Sequence, residues 1–89
     1  MRIHGKLDAN QHEIVDALRN IGADVLSLAP MGNGCPDLLV HFRGVTMLME
    51  VKSATGKLTP DEVEFIENWR GQVHIVRSVD DALRMIGVI

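Results

Sequence analysis

The sequence predicts an α/β protein, a mixed sheet with helices packed on it, in the order αβββαβα. Three observations lead there. One segment repeats apolar residues at helical spacing, and two more open on helix-capping sequences. The stretches between them are short apolar runs bounded by Gly and Pro, as strands are. The first helix is read over Asn10 to Ile21, where Ile14, Leu18 and Ile21 share a face that Val15 and Ala17 widen. Asp8 or Asn10 would cap its start, and Gly22 ends it. Ala23 to Leu28 reads as a short strand. Pro30 to Pro36 is a loop, with two prolines and two glycines in seven residues. Asp37 to Phe42 and Val45 to Lys52 read as strands joined at Arg43-Gly44. Thr59-Pro60-Asp61-Glu62 opens a second helix as a capping box with proline at the first helical position, and the helix runs to about Trp69 and stops at Gly71. Val73 to Val76 is the last strand. Ser78 caps a final helix that ends near Gly87.

Composition bounds the function classes. Eighty-nine residues make one domain, 1–89, with a small core. A hydrophobic content of 46% is that of a folded chain. One cysteine excludes an internal disulfide framework and a Cys-based zinc site. No apolar run approaches the roughly 20 residues of a membrane span, and Met1 to Lys6 lacks the apolar core of a signal peptide. The expectation is a cytoplasmic protein with no membrane partner. A net charge of −3 argues against a generic nucleic-acid coating protein, although catalytic carboxylates would count in that total. Aromatic residues are 3% of the chain and tyrosine is absent, so no base-stacking platform is expected.

The hairpin gives the sharpest chemical inference. With a two-residue turn at Arg43-Gly44, Phe42 opposes Val45 and the pairing runs on until Asp37 opposes Glu50. Alternation puts Asp37, Leu39 and His41 on one face, matched by Thr46, Leu48, Glu50 and Lys52. Opposed side chains have Cβ atoms roughly 4.5–5.5 Å apart, so two carboxylates there repel. A hard divalent cation relieves the repulsion. Lys52 on the same face can hold a water or a developing negative charge beside it. Carboxylates, metal and lysine together suit in-line displacement at a phosphodiester. The alternative is bland: Asp37 as a turn residue after Pro36, and Glu50 and Lys52 on a solvated sheet face. Leu39 and Leu48 on that face weigh against it.

These residues resemble a known family. Pro36-Asp37 followed by Glu50-Val51-Lys52 matches the PD-(D/E)xK nuclease signature. Gly34 to Val40, Met49 to Lys52 and Gly56 to Pro60 are similar to its VRR-NUC branch (virus-type replication-repair nuclease), in particular to minimal stand-alone phage-type members. The stretches Ala9 to Val15 and Trp69 to Ser78 fit as well, so the likeness covers nearly the whole chain. The resemblance implies a restriction-endonuclease-like αβββαβ core with a C-terminal helix. It implies Mg²⁺, with Mn²⁺ able to substitute, held by Asp37, Glu50 and the backbone carbonyl of Val51. It also implies Lys52 as the lysine that positions or activates water, and Glu13 as an acidic residue from the first helix that binds the metal directly or through a water. The expected activity is endonucleolytic cleavage of DNA, with Holliday junctions or other branched DNA as substrates of a homodimer, in a phage or prophage protein working in a bacterial host. A flap or duplex nickase and a non-catalytic DNA-binding module on the same fold are the alternatives. The family usually places glutamine where this chain has Glu62, which leaves that residue as a further metal contact or as a capping residue only.

The remaining residues give weaker signals. Gly32-Asn33-Gly34 lacks the ending of a phosphate-binding fingerprint and reads as the loop that presents Asp37, or as a DNA-contacting loop. Cys35 has no histidine partner that would make it a nucleophile. His41 is a neighbour of Asp37 on one face, and Phe65 with Trp69 is an i, i+4 pair expected in the core. Lys6, Arg43, Lys57 and Arg70 are phosphate contacts or ordinary solvated charges.

Overall fold

The computed structural model describes residues 4–89, with side chains from residue 10 onward. Its order is α1 (His4–Asn20), β1 (Asp24–Ser27), a 3-10 turn (Ala29–Met31), β2 (Leu38–Phe42), β3 (Val45–Val51), α2 (Pro60–Asn68), β4 (Val73–Val76) and α3 (Val79–Met85). The strands form one mixed sheet in the order β1-β2-β3-β4, antiparallel except for β3 and β4, which run parallel across the α2 crossover. This is the predicted αβββαβα arrangement.

Helix α1 departs from the sequence reading at its start. It begins at His4, so Asn10 lies inside the helix and is not its cap; the side chains of Lys6 and Asp8 lie outside the described residues. No proline interrupts residues 4–9, and a nucleated helix propagates through polar residues that carry no apolar pattern. Its end is as read. The Gly22 amide donates to the Arg19 carbonyl and that of Ala23 to the Leu18 carbonyl, closing the last turn.

The core lies between one face of the sheet and the helices α1 and α3. Ile14 and Leu18 of α1 and Ala82 of α3 meet Val25, Leu38, Val40, Met47, Met49, Val51 and Val76. Strand β3 is covered on both faces, since Met47 through Val51 are buried in succession. Four of those five are apolar. The fifth is Glu50, 2% exposed, and nothing about core packing accounts for a carboxylate there.

The register is the one the hairpin arithmetic requires, from Phe42↔Val45 to Leu38↔Met49. Arg43 and Gly44 both take positive φ, +50° and +83°, as a type I′ turn demands. Arginine is unfavourable in that conformation, but its guanidinium lies 4.9 Å over the Phe42 ring. The apolar alternation of both strands fixes the pairing, because a slip of one residue would turn Leu38 and Val40 out of the core.

Candidate active site

Asp37 directly precedes β2 and is held at both ends. Its carbonyl accepts from the Leu28 amide at 2.8 Å, and its Oδ2 accepts from the Val51 amide at 2.8 Å. The side chain thus continues the β2–β3 ladder one step past Leu38↔Met49, which brings it beside Glu50. Amide and carbonyl of a strand residue point to the same side, so the Val51 carbonyl faces the Asp37 side too. Lys52 follows, its Nζ 3.7 Å from Glu50 Oε2 and 2.7 Å from Glu62 Oε1. A cavity of about 260 Å³ opens on this group, lined by Asp37, Glu50, Val51, Lys52, Ser53 and Glu62, with Asn10 and Gln11 from α1.

Glu62 caps α2, as the sequence allowed, and in addition reaches into the site as a partner of Lys52. The Thr59 hydroxyl accepts from the Glu62 amide, and Glu62 Oε1 accepts from the Thr59 amide at 2.8 Å, which completes the capping box. The same Oε1 pairs with Lys52. Helix α2 is placed so that this is possible by Gly34, where an added Cβ would collide with the Asp61 carbonyl. With φ at +79°, this position needs glycine on both counts. The loop after β3 is tied down by Arg77, whose Nη1 donates to the carbonyls of Ser53 at 2.6 Å and Gly56 at 2.7 Å.

Electrostatics make the site demanding. Burial first, then the charge of Asp37 and a hydrogen bond shared with that carboxyl, then the charge of Glu62, push the Glu50 carboxyl up to about 9, with Lys52 opposing. Its Oε1 is buried and has no hydrogen-bond partner among the described residues. Burial also acts to raise the Glu62 pKa, but its bonds to Lys52 and to the Thr59 amide outweigh that and hold it below the usual carboxylate value. Burial, then Glu50 and Asp37, raise the Cys35 thiol, the opposite of an activated nucleophile.

The donor set fits a hard cation. Among the described residues no three histidine, cysteine or carboxylate side chains form a ready-made metal cage. Mg²⁺ does not ask for one; it keeps several waters and takes one or two carboxylates. An orphaned buried carboxylate oxygen beside a second carboxylate is what such an ion would satisfy.

The structure thus gathers Asp37, Glu50, Val51 and Lys52, and leaves Glu13 out. Glu13 is exposed on α1 and lines no part of the cavity. The helix face turned to the sheet carries Asn10, Ile14 and Leu18, one residue per turn, and Glu13 falls beside it. From α1 the cavity is lined by Asn10 and Gln11 instead, and Asn10 Nδ2 donates to the Lys52 carbonyl at 3.1 Å. A signal was present: Asn10 continues the Ile14–Leu18 stripe by i, i+4 spacing, which makes it a polar residue on a core-facing stripe. For Gln11 and Arg77 the sequence carried no signal. His41 is no neighbour of the site; it is exposed at the far end of β2 and bonds Thr46 Oγ1 at 2.6 Å.

A mixed sheet with helices on it, with an aspartate before one hairpin strand and Glu-Val-Lys at the end of the next, is the arrangement that the resemblance to the restriction-endonuclease-like nucleases implied. The chain is similar to a solved structure described as a VRR_NUC domain, at 30% sequence identity and a TM-score of 0.72, over 91% of this chain and 94% of that one. The chain belongs to the VRR-NUC family. No family model and no curated protein matches it.

Proposed function

We propose that this protein is a metal-dependent endonuclease that hydrolyses DNA phosphodiesters to 5′-phosphate and 3′-hydroxyl ends. One observation carries the reading: Glu50, buried with an unpartnered Oε1, stands beside Asp37 with Lys52 on the same face. Asp37, Glu50 and the Val51 carbonyl would hold Mg²⁺, or Mn²⁺ in its place. When bound, the ion supplies Lewis-acid stabilisation of charge on the phosphoryl oxygens. Lys52, fixed by Glu62, donates to the incoming water or to the charge that develops as its oxygen bonds phosphorus and the bond to the 3′ oxygen breaks. Asn10 holds the Lys52 backbone, and Glu13, placed outside the cavity, has no part in this reading.

The finer reading is a homodimer that acts on four-way or otherwise branched DNA in the cytoplasm of a bacterial host, as a phage or prophage protein. It is supported by the small core of this domain, which a partner would extend. Two-fold symmetry would set two sites on a two-fold substrate. The deciding experiment sets a labelled four-way junction against linear duplex, with Mg²⁺ and with EDTA. Cleavage of the junction alone, with Mg²⁺, supports the proposal. Equal cutting of both makes the protein a general nickase, and binding without cutting makes it a non-catalytic module. Sedimentation at micromolar concentration should give a dimer; a single species near 9.8 kDa contradicts the assembly.

A further inference from the structure

Phe65 and Trp69 do not enter the core, contrary to their i, i+4 reading. They stack on α2 with ring centroids 5.2 Å apart and planes 18° from parallel. Trp69 is 49% exposed. The chain has few aromatics, yet two of its three form this surface pair. With Asn33, Asp61, Glu64 and Asn68 the rings line a cavity of about 400 Å³.

The lining selects a ligand chemistry. An aromatic wall takes a flat π-system. The side-chain amides of Asn33 and Asn68 both donate and accept, while Asp61 and Glu64 only accept. Asn68 uses one amide hydrogen on the Glu64 carbonyl at 2.9 Å, which leaves its other hydrogen and its oxygen for a ligand. No lysine or arginine lines the cavity and two carboxylates do, so a phosphate is repelled. A nucleobase fits both requirements: its face stacks on the rings, and its amino and ring N–H groups donate to the carboxylates and amides.

The position ties this cavity to the reaction site. Gly34 packs directly on the Asp61 backbone, so the Asn33 loop and the first turn of α2 form one wall. Asp61 faces the aromatic cavity, and the next residue, Glu62, faces the cavity of Asp37, Glu50 and Lys52. The indole is seated against Gly71, where a Cβ would stand 2.8 Å from Trp69 Nε1.

We infer that this cavity receives an unpaired nucleobase of the substrate strand, next to the phosphodiester held at Asp37, Glu50 and Lys52. Its role in the reaction rests on the nuclease reading; base binding does not. A base that is already unpaired or at a branch is the least costly to place there, so the cavity selects disrupted duplex over intact duplex.

Trp69 is the only tryptophan of the chain, and its fluorescence reports on the cavity directly. In EDTA, a short single-stranded oligonucleotide should quench it saturably, and an abasic sugar–phosphate chain of the same length should not. Trp69→Ala should weaken binding of a labelled strand about tenfold, read by anisotropy, while Trp69→Phe should retain most of it, since each stacked base adds on that scale. With Mg²⁺, the ratio of cutting rates for duplex carrying one unpaired base over fully paired duplex should fall toward unity in Trp69→Ala. Equal quenching by the abasic chain, or none by the base-bearing strand, overturns the base cavity whether or not the protein cuts DNA. Base-dependent quenching without cleavage of any DNA supports the cavity and overturns the nuclease reading instead.

Discussion

Glu50→Gln should stabilise the metal-free protein and flatten its response to pH. Burial, Asp37 and Glu62 hold the folded carboxyl up to about 9, whereas an unperturbed glutamate titrates at 4.5. Between those values the folded chain keeps a proton that the unfolded chain has lost. Stability is therefore full below about 4.5 and declines as pH rises toward about 9. The full slope is about 1.4 kcal/mol per pH unit. From pH 6 to pH 8 the loss is on the order of 3 kcal/mol, roughly 10–20 °C in Tm for a domain of this size. Glutamine has nearly the same shape and no proton to lose. Thermal melts of both proteins in EDTA at pH 6, 7 and 8 provide the assay, and the difference between the two cancels every titration that they share. Added Mg²⁺ should raise the wild-type Tm more at pH 8 than at pH 6, because a ligating carboxylate must first lose its proton. Glu50→Gln should lose most of that response. Parallel Tm lines for the two proteins from pH 6 to 8 would refute the reasoning, since Glu50 would then carry no extra proton in the fold.

Three further outcomes are expected. Lys52→Ala should lower the rate of DNA cleavage at least tenfold, about 1.4 kcal/mol of barrier, and leave the Mg²⁺-induced rise in Tm in place; unchanged turnover in the folded variant removes Lys52 from the chemistry. Gly34→Ala forces a Cβ into the Asp61 carbonyl at a φ of +79°, and urea denaturation should show a loss of roughly 1–3 kcal/mol. Arg77→Ala frees the carbonyls of Ser53 and Gly56, and the same measurement should show a loss of roughly 1.5–3 kcal/mol.

The elements and the strand pairing were legible in the sequence because each rests on local signals that agree. The capping box at Thr59–Glu62, the Ser78 cap and the alternation of β2 and β3 all appear where they were read. Asp37, Glu50 and Lys52 were placed by the same alternation, since a strand has only two faces and the turn length leaves one register. What was not legible depends on contacts between elements distant in sequence. Asn10 reaches a carbonyl 42 residues away, and Arg77 reaches back to the loop after β3. Glu13 was expected at the site from a resemblance that assigns a helix but not its rotation about its own axis. Phe65 and Trp69 have the spacing of a core pair, but spacing alone does not say whether another element covers them.

Glu62 is where this chain departs from the glutamine usual at that position, and the geometry gives the departure a consequence. Glutamine satisfies a capping box as well as glutamate does, so capping does not require the charge. Lys52 does: its ammonium stands between two carboxylates, 2.7 Å from Glu62 and 3.7 Å from Glu50. With glutamine at 62, Glu50 would be the only carboxyl of the two left to Lys52, and once it loses its proton the lysine would compete with a cation for it. The Glu62 carboxylate, its pKa already held low by Lys52 and the Thr59 amide, keeps the ammonium nearer α2 than Glu50 and leaves Glu50 Oε1 without a partner among the described residues. Glu62→Gln keeps the cap and should cost roughly 1–3 kcal/mol for the weakened, mostly buried contact with Lys52, while the concentration of Mg²⁺ needed for half-maximal cleavage rises several-fold. Glu62→Ala should add the loss of the cap, about 1 kcal/mol. A Glu62→Gln protein with wild-type Mg²⁺ dependence would show that Lys52 and the cation do not compete for Glu50, and the role of Glu62 would reduce to capping α2.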